Sequence, residues 1–466
     1  MSKIQKNTFF IIIGLFIILI FEKVNIFNDL SFDENLALRM VFLMIFLWIT
    51  ELIPISITAL IPLIFSPFYL DQINNDIFSK YASPVVFLLL GGFIIANGFE
   101  KSQLHKRVAL KILLSFGNTR KKILLCIIFS TSIFSMFLSN TATCLLMLPI
   151  VKNIVDSSFA KLSEIDFSKI LLLSIAYSAS IGGMATPIGT IPNAVLVGYL
   201  NENHNLQIDF VDWFLFSFPL TLLLLSILFI FLSKRFIDDK KIIKVDYLKV
   251  KYEKLGRLSD NEKITIFILS ITISLWIFKN SINEIFQLHL SDSIIAIFGS
   301  LLFFIIPNKK FSTILNFDWY KNVPWNVLIL FGGGLAMASI IISSGLAEEI
   351  AKLIDSFSNL NLLSTIIIVA VMTSLLTEFT SNTATTFLLL PILSLFAINN
   401  DIEILKLALP FVFAASCAFM MPIATPPNAI VYSVNKFKIS FMVYNGFFVN
   451  LISVMLISIY IFSFNF

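Results

Sequence analysis

Charged residues are scarce in this chain. They make up only 13% of its 466 residues, whereas 58% are hydrophobic, and a typical soluble domain has about 25% charged residues. This composition excludes an ordinary soluble enzyme or binding domain and predicts an integral, multi-pass protein of the lipid bilayer. The net charge of +4 is too small to favour nucleic acid as a partner, so we expect none. Apolar runs of membrane-spanning character occur at Phe9–Phe21, Trp213–Leu232 and Leu451–Phe464 with their flanks.

Cysteine and histidine are also rare, with three of each. The cysteines lie in apolar segments and have neither disulfide nor metal-binding spacing. We expect His105, His204 and His289 in loops, which argues against a histidine metal site or proton relay within the membrane. No nucleophile–base pair and no motif for an organic cofactor is present, so the sequence does not indicate an enzyme.

The chain contains a duplicated block inside apolar segments. Phe137–Ile150 and Phe379–Ile392 agree at ten of fourteen positions and share Ser-Asn-Thr-Ala-Thr. A second pair follows in the same order, Ile188–Ala194 and Ile423–Ala429, and the offsets between copies are 242 and 235 residues. The sequence therefore predicts two homologous halves. Duplicated halves with interrupted hydrophobic segments at matching positions are typical of secondary transporters.

The distribution of positive charge predicts the topology. Lysine and arginine dominate 99–122 and are frequent in the linker 234–263, so we place both segments in the cytoplasm. Because Gly91-Gly92 matches Gly332-Gly333, the basic segment 99–122 of one half corresponds to an acidic segment of the other, and we expect inverted halves. The consistent solution has a cytoplasmic N-terminus, eleven membrane-crossing helices, two re-entrant helical hairpins and an external C-terminus. The acidic segments are 22–34, 201–212 and 346–360.

Both copies of Ser-Asn-Thr are expected at the tips of these hairpins. The first copy lies in Ile123–Ile150, which as one straight helix would be about 42 Å long, beyond the ~30 Å hydrocarbon core. The middle of this stretch is also rich in Ser and Thr. A hairpin resolves both difficulties, because Ser and Asn satisfy exposed helix ends. Leu362–Leu395 repeats the pattern from the other side of the membrane.

Two membrane helices are expected to be interrupted. Glycine and proline cluster at 181–193, and proline recurs at 420–428, where a regular helix cannot continue. An interruption at membrane depth frees backbone carbonyls, which together with Ser, Thr and Asn oxygens suit a small hard cation. Helix N-termini at the same place suit an anion.

These motifs, together with Trp48–Pro54, resemble the divalent-anion/sodium symporter family, whose members carry dicarboxylates, citrate or sulfate. The resemblance covers essentially the whole chain. It implies an all-α polytopic fold with an inverted repeat and a homodimeric scaffold, against which the hairpin-bearing regions move in an elevator-type transport cycle. It also implies symport of sodium with a small dicarboxylate such as succinate, malate or fumarate across the inner (cytoplasmic) membrane. The alternatives are a sodium-independent dicarboxylate exchanger and a citrate or sulfate symporter.

The same resemblance implies the site residues. The first sodium site would use Ser135, Ser139, Asn140 and the backbone near Gly189. The second sodium site would use Thr377, Thr380, Asn382, Ala424 and Pro426. The substrate would contact Asn140, Thr141, Thr190, Asn382, Thr383, Thr425 and Pro426. The chain departs from the family at Ile191, where proline is more frequent and the shape of the first break is therefore in doubt, and at Thr380, where a small apolar residue is usual.

The expected site contains no Lys or Arg. A dianion bound there alone would be costly, so sodium ions would supply the positive charge and would bind as a set with the substrate. Glu51 and Glu378 are two further acids in apolar segments, and both a functional role and structural pairing remain open for them. The expected regions are N-terminal scaffold helices 1–98, a first repeat core 99–233, a cytoplasmic linker 234–263, second-repeat scaffold helices 264–345, a second repeat core 346–434 and a C-terminal helix 435–466.

Overall fold

The structure, a computed structural model, describes residues 30–68, 77–116, 119–158, 165–234, 246–354 and 360–464. Within these ranges the secondary structure is helical and contains no strand. The α-helices are α1 (Phe32–Thr50), α2 (Ile55–Thr58), α3 (Ile61–Phe65), α4 (Pro84–Lys101), α5 (Leu104–Phe116), α6 (Arg120–Ser135), α7 (Asn140–Ser158), α8 (Ile165–Gly183), α9 (Ile191–His204), α10 (Phe210–Ser233), α11 (Asp246–Lys254), α12 (Asp260–Phe286), α13 (Asp292–Ile305), α14 (Trp325–Ser343), α15 (Leu346–Ile354), α16 (Leu362–Thr377), α17 (Asn382–Asn399), α18 (Ile404–Ala415), α19 (Pro426–Tyr432) and α20 (Ile439–Ser463). Short 3₁₀ helices cover Ser66–Phe68 and Trp319–Asn322.

Several of these helices are long and apolar enough to cross a membrane. Among the described residues six meet both criteria, namely the segment Ile77–Lys101 that ends with α4, and α10, α12, α14, α17 and α20. The expected spans near Trp213–Leu232 and Leu451–Phe464 are confirmed, because α10 and α20 contain nearly all of them. The expected span Phe9–Phe21 lies outside the described residues.

Both copies of Ser-Asn-Thr interrupt a helix, as predicted. Helix α6 ends at Ser135 and α7 begins at Asn140, while α16 ends at Thr377 and α17 begins at Asn382. Each connection therefore starts before the motif and ends with its serine, because the asparagine is already the first helical residue. We call residues 136–139 the first tip and residues 378–381 the second tip.

The two expected interruptions near the prolines are also present, although the second differs from the prediction. The first break, residues 184–190, separates α8 from α9, and the second break, residues 416–425, separates α18 from α19. The prediction that Pro426 and Pro427 lie in the break is wrong, because both occupy the first turn of α19. Proline is tolerated there because the first N–H groups of a helix have no intrahelical partner.

Each break packs against the tip of its own half. Helix α8 lies against α6 and α7, and α18 lies against α16 and α17. The other extensive contact, between α4 and α13, joins the two halves of the chain. A methyl group added to Gly91 of α4 would lie 2.7 Å from the Ala296 backbone of α13, so this glycine allows the two helices to pack closely.

The prediction that all three histidines lie in loops is wrong for two of them. His105 is the second residue of α5 and is buried, and His204 is the last residue of α9. Only His289 lies in a loop, between α12 and α13. The loop prediction failed because 99–122 was read as a charged segment, whereas its apolar residues form a buried face on a helix. Burial lowers the pKa of His105 to about 4, so this histidine is neutral at ordinary pH.

Candidate functional site

The first tip and the first break meet at the side chain of Asn140. The amide end of this residue lies 2.8 Å from Ser135 Oγ, 3.0 Å from the carbonyl oxygen of Ala179 and 3.2 Å from that of Gly189. The Ser135 hydroxyl donates its own hydrogen to the Ala179 carbonyl at 2.6 Å. All three neighbours of the amide therefore act as hydrogen-bond acceptors. The amide nitrogen can share its two hydrogens among these three acceptors without an ion, whereas the amide oxygen would complete an oxygen-only site around a cation.

Two glycines allow this approach. A methyl group on Gly183 would lie 2.5 Å from this same amide end of Asn140, and one on Gly189 would lie 2.8 Å from the carbonyl oxygen of Ser135. Real side-chain carbons do not come so close, so either substitution would displace the oxygens around Asn140. Of the expected first sodium site, Ser135, Asn140 and Gly189 are thus brought together. Ala179 and Gly183 belong to the same cluster and were missed, because only their packing against the tip reveals them.

The backbone of the first break is held by side-chain donors. Asn193 Nδ2 donates to the carbonyl oxygens of Gly183, Met184 and Thr186 at 3.2, 3.1 and 2.9 Å. From α10, Trp213 Nε1 donates to Met184 at 3.0 Å and Ser217 Oγ to Ala185 at 2.9 Å. Buried carbonyls that a helix no longer pairs need such partners. The break is therefore a fixed turn and not a flexible loop.

The second break has an equivalent asparagine. Asn428 Nδ2 donates to the carbonyl oxygens of Ala418 and Met421 at 2.9 and 3.0 Å. At the sequence offset of 235 these positions match Asn193, Gly183 and Thr186. Both asparagines belong to the duplicated Pro-Asn-Ala, which the sequence analysis includes in the second repeated pair without giving the asparagines a role. The repeat marks the two positions, but it does not predict which backbone carbonyls they contact.

Glu378 joins the second tip to the second break. Its carboxylate is fully buried and accepts hydrogen bonds from the backbone amides of Met420 at 2.9 Å and Met421 at 2.8 Å. Asn450 Nδ2 of α20 donates to the same carboxylate at 2.7 Å. These bonds give Glu378 a structural role, which was one of the two possibilities left open by the sequence. Glu51, the other acid, is exposed at the end of α1 with a left-handed backbone conformation.

The expected second sodium site is less complete than the first. Thr377 is buried, but its hydroxyl donates to Ser374 of its own helix at 3.2 Å. The Thr380 hydroxyl contacts the Leu376 carbonyl and the Thr385 hydroxyl at 2.8 and 2.7 Å. Asn382 Oδ1 is buried and has no hydrogen-bond partner in the part of the chain that the structure describes. No hydrogen bond joins Thr377, Asn382 and Ala424 to one another within these described residues.

The remaining predicted residues lie at helix starts near the same two tips and breaks. Ser139 Oγ accepts from the Ala142 amide at 3.2 Å, and Thr425 Oγ1 accepts from the Asn428 amide at 3.3 Å. Thr190 and Thr383 are buried, Thr141 is half-buried and Pro426 is exposed. The hydrogen bonds described at the tips and breaks involve Ser, Thr, Asn, Trp and Glu side chains and no Lys or Arg. Apart from Glu378, whose buried carboxylate is already paired, a ligand would therefore meet neutral side chains and backbone carbonyls.

Comparison with known protein families identifies the family of this chain. The sodium:sulfate symporter transmembrane region matches residues 3–465. The chain belongs to this family. Its members are membrane transporters, so the chain is a membrane transporter and not an enzyme.

Individual relatives are consistent with that membership. The chain is 36% identical over 429 residues to the sodium-dependent dicarboxylate transporter SdcS of Staphylococcus saprophyticus, covering 88% of this chain and 82% of the relative. It is 37% identical over 427 residues to SdcS of Staphylococcus aureus strain USA300, with the same coverage.

Two solved structures share the fold at low identity. The YdaH transporter of Alcanivorax borkumensis has a TM-score of 0.56 at 12% identity, over 83% of this chain and 86% of that one. MtrF of Neisseria gonorrhoeae has a TM-score of 0.58 at 15% identity, over 84% and 85%. At such identities the likeness concerns the architecture alone.

Proposed function

We propose that this protein is a secondary active transporter that carries sodium ions together with a small dicarboxylate of the succinate, malate or fumarate type. The observation that carries the proposal is the oxygen cluster around Asn140. A small hard cation prefers hydroxyl, amide and carbonyl oxygens, and the cluster supplies all three kinds from Ser135, Asn140, Ala179 and Gly189. Membership of a sodium symporter family and the SdcS relatives support the same conclusion.

The chemistry of the site gives a reason for coupling. We propose that the carboxylates of the substrate contact Asn140, Thr141, Thr190, Asn382, Thr383, Thr425 and the region of Pro426. None of these side chains carries a positive charge, and a dianion away from water needs one nearby. Sodium ions beside the substrate would supply it. The affinity of each ligand would then depend on the other, which is the thermodynamic condition for symport.

The proposed transport cycle follows from the arrangement of tips and breaks. Equivalent contacts at equivalent positions, such as those of Asn193 and Asn428, support an inverted repeat in which the two tips meet the two breaks near mid-membrane. We infer that the two cores move together, elevator-fashion, against scaffold helices that form a homodimer. In this proposal the cores comprise residues 99–233 and 346–434, with 234–263 as the cytoplasmic linker.

Ion pairs between charged segments support the proposed topology. Arg107 of the basic segment 99–122 lies 2.6 Å from Glu262 and donates to three carbonyls of residues 255–257, so two segments expected in the cytoplasm are in contact. Lys279, near the end of α12, pairs with Asp209 of the acidic segment 201–212 and with Asp292, and in the proposed topology these residues lie together on the external side. The pairing is consistent with an N-terminus in the cytoplasm and eleven crossings of the inner membrane.

The proposal is tested by counterflow of labelled succinate into liposomes that contain the purified protein, with and without a sodium gradient. We expect accumulation only when sodium is present, and loss of accumulation in the variant Asn140→Ala combined with Asn382→Ala. Asn280→Ala, which changes an exposed asparagine on α12, serves as the matched control. Uptake and sodium dependence that persist in the double variant would contradict the proposed site.

Sodium-independent exchange is the alternative that one observation favours. The residues expected at the second sodium site are not joined to one another, because Thr377 bonds within its own helix. Exchange that continues without sodium in the same liposomes would establish this alternative. Competition by citrate and sulfate in that assay separates the dicarboxylate from the other anions carried by the family.

A further inference from the structure

A basic groove lies beside the start of α20, away from both tips and both breaks. It has a volume of about 650 Å³. Three lysines, Lys169, Lys436 and Lys438, contribute to its walls, and the remaining lining residues are Asn435, Phe437, Ser440, Phe441 and Tyr444. None of these described lining residues is an acid. Lys169 Nζ forms an ion pair with the exposed Asp166 at 2.9 Å.

The lysines come from two separate parts of the chain. Lys169 is in the second turn of α8, and Lys436 and Lys438 lie in the connection between α19 and α20. A cation–π contact links these parts, because Lys169 Nζ lies 5.4 Å from the ring centre of Phe441, which in turn packs on Phe437. Lys436 and Lys438 are exposed, and neither forms an ion pair or hydrogen bond through its side chain within the described ranges. Among the described residues, Lys436 and Lys438 therefore bring positive charge to the groove that no acidic side chain balances, whereas Lys169 is paired with Asp166.

The start of α20 adds to this positive potential. Lys438 is the N-cap of a 25-residue helix and provides no side-chain cap. The first amides of such a helix have no intrahelical acceptor, and the helix dipole places partial positive charge there. An anion in the groove would therefore meet both the lysine ammonium groups and this end of α20.

An exposed apolar stripe runs from the groove along α20. Six large side chains on one face of the helix are between 44% and 55% exposed, and α20 is one of the helices long enough to cross a membrane. A soluble anion would gain nothing from contact with this apolar surface, whereas the acyl chains of a lipid would bury it. The six residues, spaced by three or four positions, are Tyr444, Phe447, Leu451, Met455, Ile459 and Phe462, the last of these 45% exposed.

We propose that this groove binds the phosphate headgroup of an anionic phospholipid, whose acyl chains lie along the exposed face of α20. Basic groups beside a membrane helix on its cytoplasmic side attract such headgroups, and the topology proposed above places residues 433–438 on that side. The site is separate from the transport site. It would anchor the core that carries the first break and the C-terminal helix to the charged surface of the bilayer.

The experiment measures lipid bound to the purified full-length protein by native mass spectrometry. The protein in neutral detergent is titrated with phosphatidylglycerol, with phosphatidylcholine, and separately with inorganic phosphate. We expect preferential binding of phosphatidylglycerol. Each lysine near an anionic headgroup contributes about fivefold to affinity, so Lys436→Gln with Lys438→Gln lowers it about 25-fold.

The matched control removes two lysines outside the groove, Lys309→Gln with Lys310→Gln, which leaves the same net charge as the test pair. Both variants are checked for folding by size-exclusion chromatography. Adding Lys169→Gln to the test pair weakens binding further. Equal phosphatidylglycerol binding by the test pair and the control pair would overturn the proposal. Saturable binding of inorganic phosphate without any preference for phosphatidylglycerol would overturn it as well, because the apolar stripe would then have no role.

Discussion

The tip and break of each half are joined at the same two positions, but the bonding groups are reversed. In the first half the hydroxyl of Thr186, in the break, donates to the backbone carbonyl of Met136, in the tip. The positions that match them are Met421 and Glu378, and here the backbone amide of the break donates to the side chain of the tip. The first junction uses a neutral donor and the second uses a buried carboxylate.

The difference extends to the glycines. Gly183 and Gly189 of the first half correspond to Ala418 and Ala424 of the second. In the first half these two positions must lack a methyl group, because Asn140 and the carbonyl of Ser135 come so close to them. In the second half Asn382 has no equivalent contact among the described residues, and none of them pairs with its side-chain oxygen. The first region is thus preassembled, whereas the second leaves an acceptor available to a ligand.

The largest effect that would follow from this comparison is expected at Gly189. In Gly189→Ala the new methyl group would lie 2.8 Å from the Ser135 carbonyl oxygen, and the oxygen cluster would have to move. Displacement of about 1 Å at a binding constellation can cost about 100-fold in rate, and we expect a loss of that order in sodium-dependent succinate uptake. Ala424→Gly only removes a methyl group and should reduce uptake far less. Similar losses in both variants would show that the two regions are not different.

The second-largest effect is a difference between the two asparagines in how much each stabilises the protein in the absence of sodium. Asn140→Ala removes an amide that contacts three acceptors, at about 1 kcal/mol for each hydrogen bond, so thermal unfolding in sodium-free detergent should shift downward. Asn382→Ala removes an oxygen with no partner and should leave that unfolding temperature nearly unchanged. Both should diminish the stabilisation produced by adding sodium and succinate. A sodium-free shift as large for Asn382→Ala as for Asn140→Ala would contradict the preassembly of the first region alone.

A third effect compares the two junctions directly. Glu378→Gln replaces the carboxylate that accepts from two backbone amides and Asn450, and we expect a loss of about 2–3 kcal/mol in the free energy of unfolding. Thr186→Val removes one neutral hydrogen bond and should cost about 1 kcal/mol. Denaturant unfolding of the purified protein measures both. The order would reverse if the hydroxyl of Thr186 were the stronger link.

The smallest effect concerns the serines of the two tips. Ser139 accepts a hydrogen bond from the Ala142 amide at the start of α7, whereas Ser381 makes no side-chain cap bond at the start of α17. Ser139→Ala should therefore lower the free energy of unfolding by about 0.5–1 kcal/mol, and Ser381→Ala by less. Sodium-free unfolding curves test this difference. Equal values would show that the cap at Ser139 contributes nothing.

Much of this architecture was predictable from local pattern. The interruptions at Ser-Asn-Thr and near the prolines were predicted because an apolar run cannot continue through Gly, Pro and capping residues. The boundaries were predicted less well. The second break begins at Ser416, where no proline or glycine marks it, and His105 lies on a helix within a segment that its charge made look like a loop.

The grouping of site residues was predicted for one half only. Ser135 and Thr377 hold the same position before their motifs, yet Ser135 donates to α8 and Thr377 donates back along its own helix. The branched side chain of threonine has fewer χ1 rotamers and often bonds to the carbonyl three or four residues earlier. Which oxygen each hydroxyl reaches depends on the helix packed beside it, and the sequence repeat contains no information about that helix.

The amino-acid sequence by itself determined that the chain is apolar and helical, that it is duplicated, and where its helices are interrupted. These features depend on the hydrophobicity and backbone preferences of neighbouring residues. Only the tertiary structure decided that Glu378 binds the second break, that Asn140 is held by three oxygens while Asn382 is not, and that three lysines meet beside α20. Those contacts join residues far apart in the chain, and packing, not local preference, selects the partner of a buried polar group.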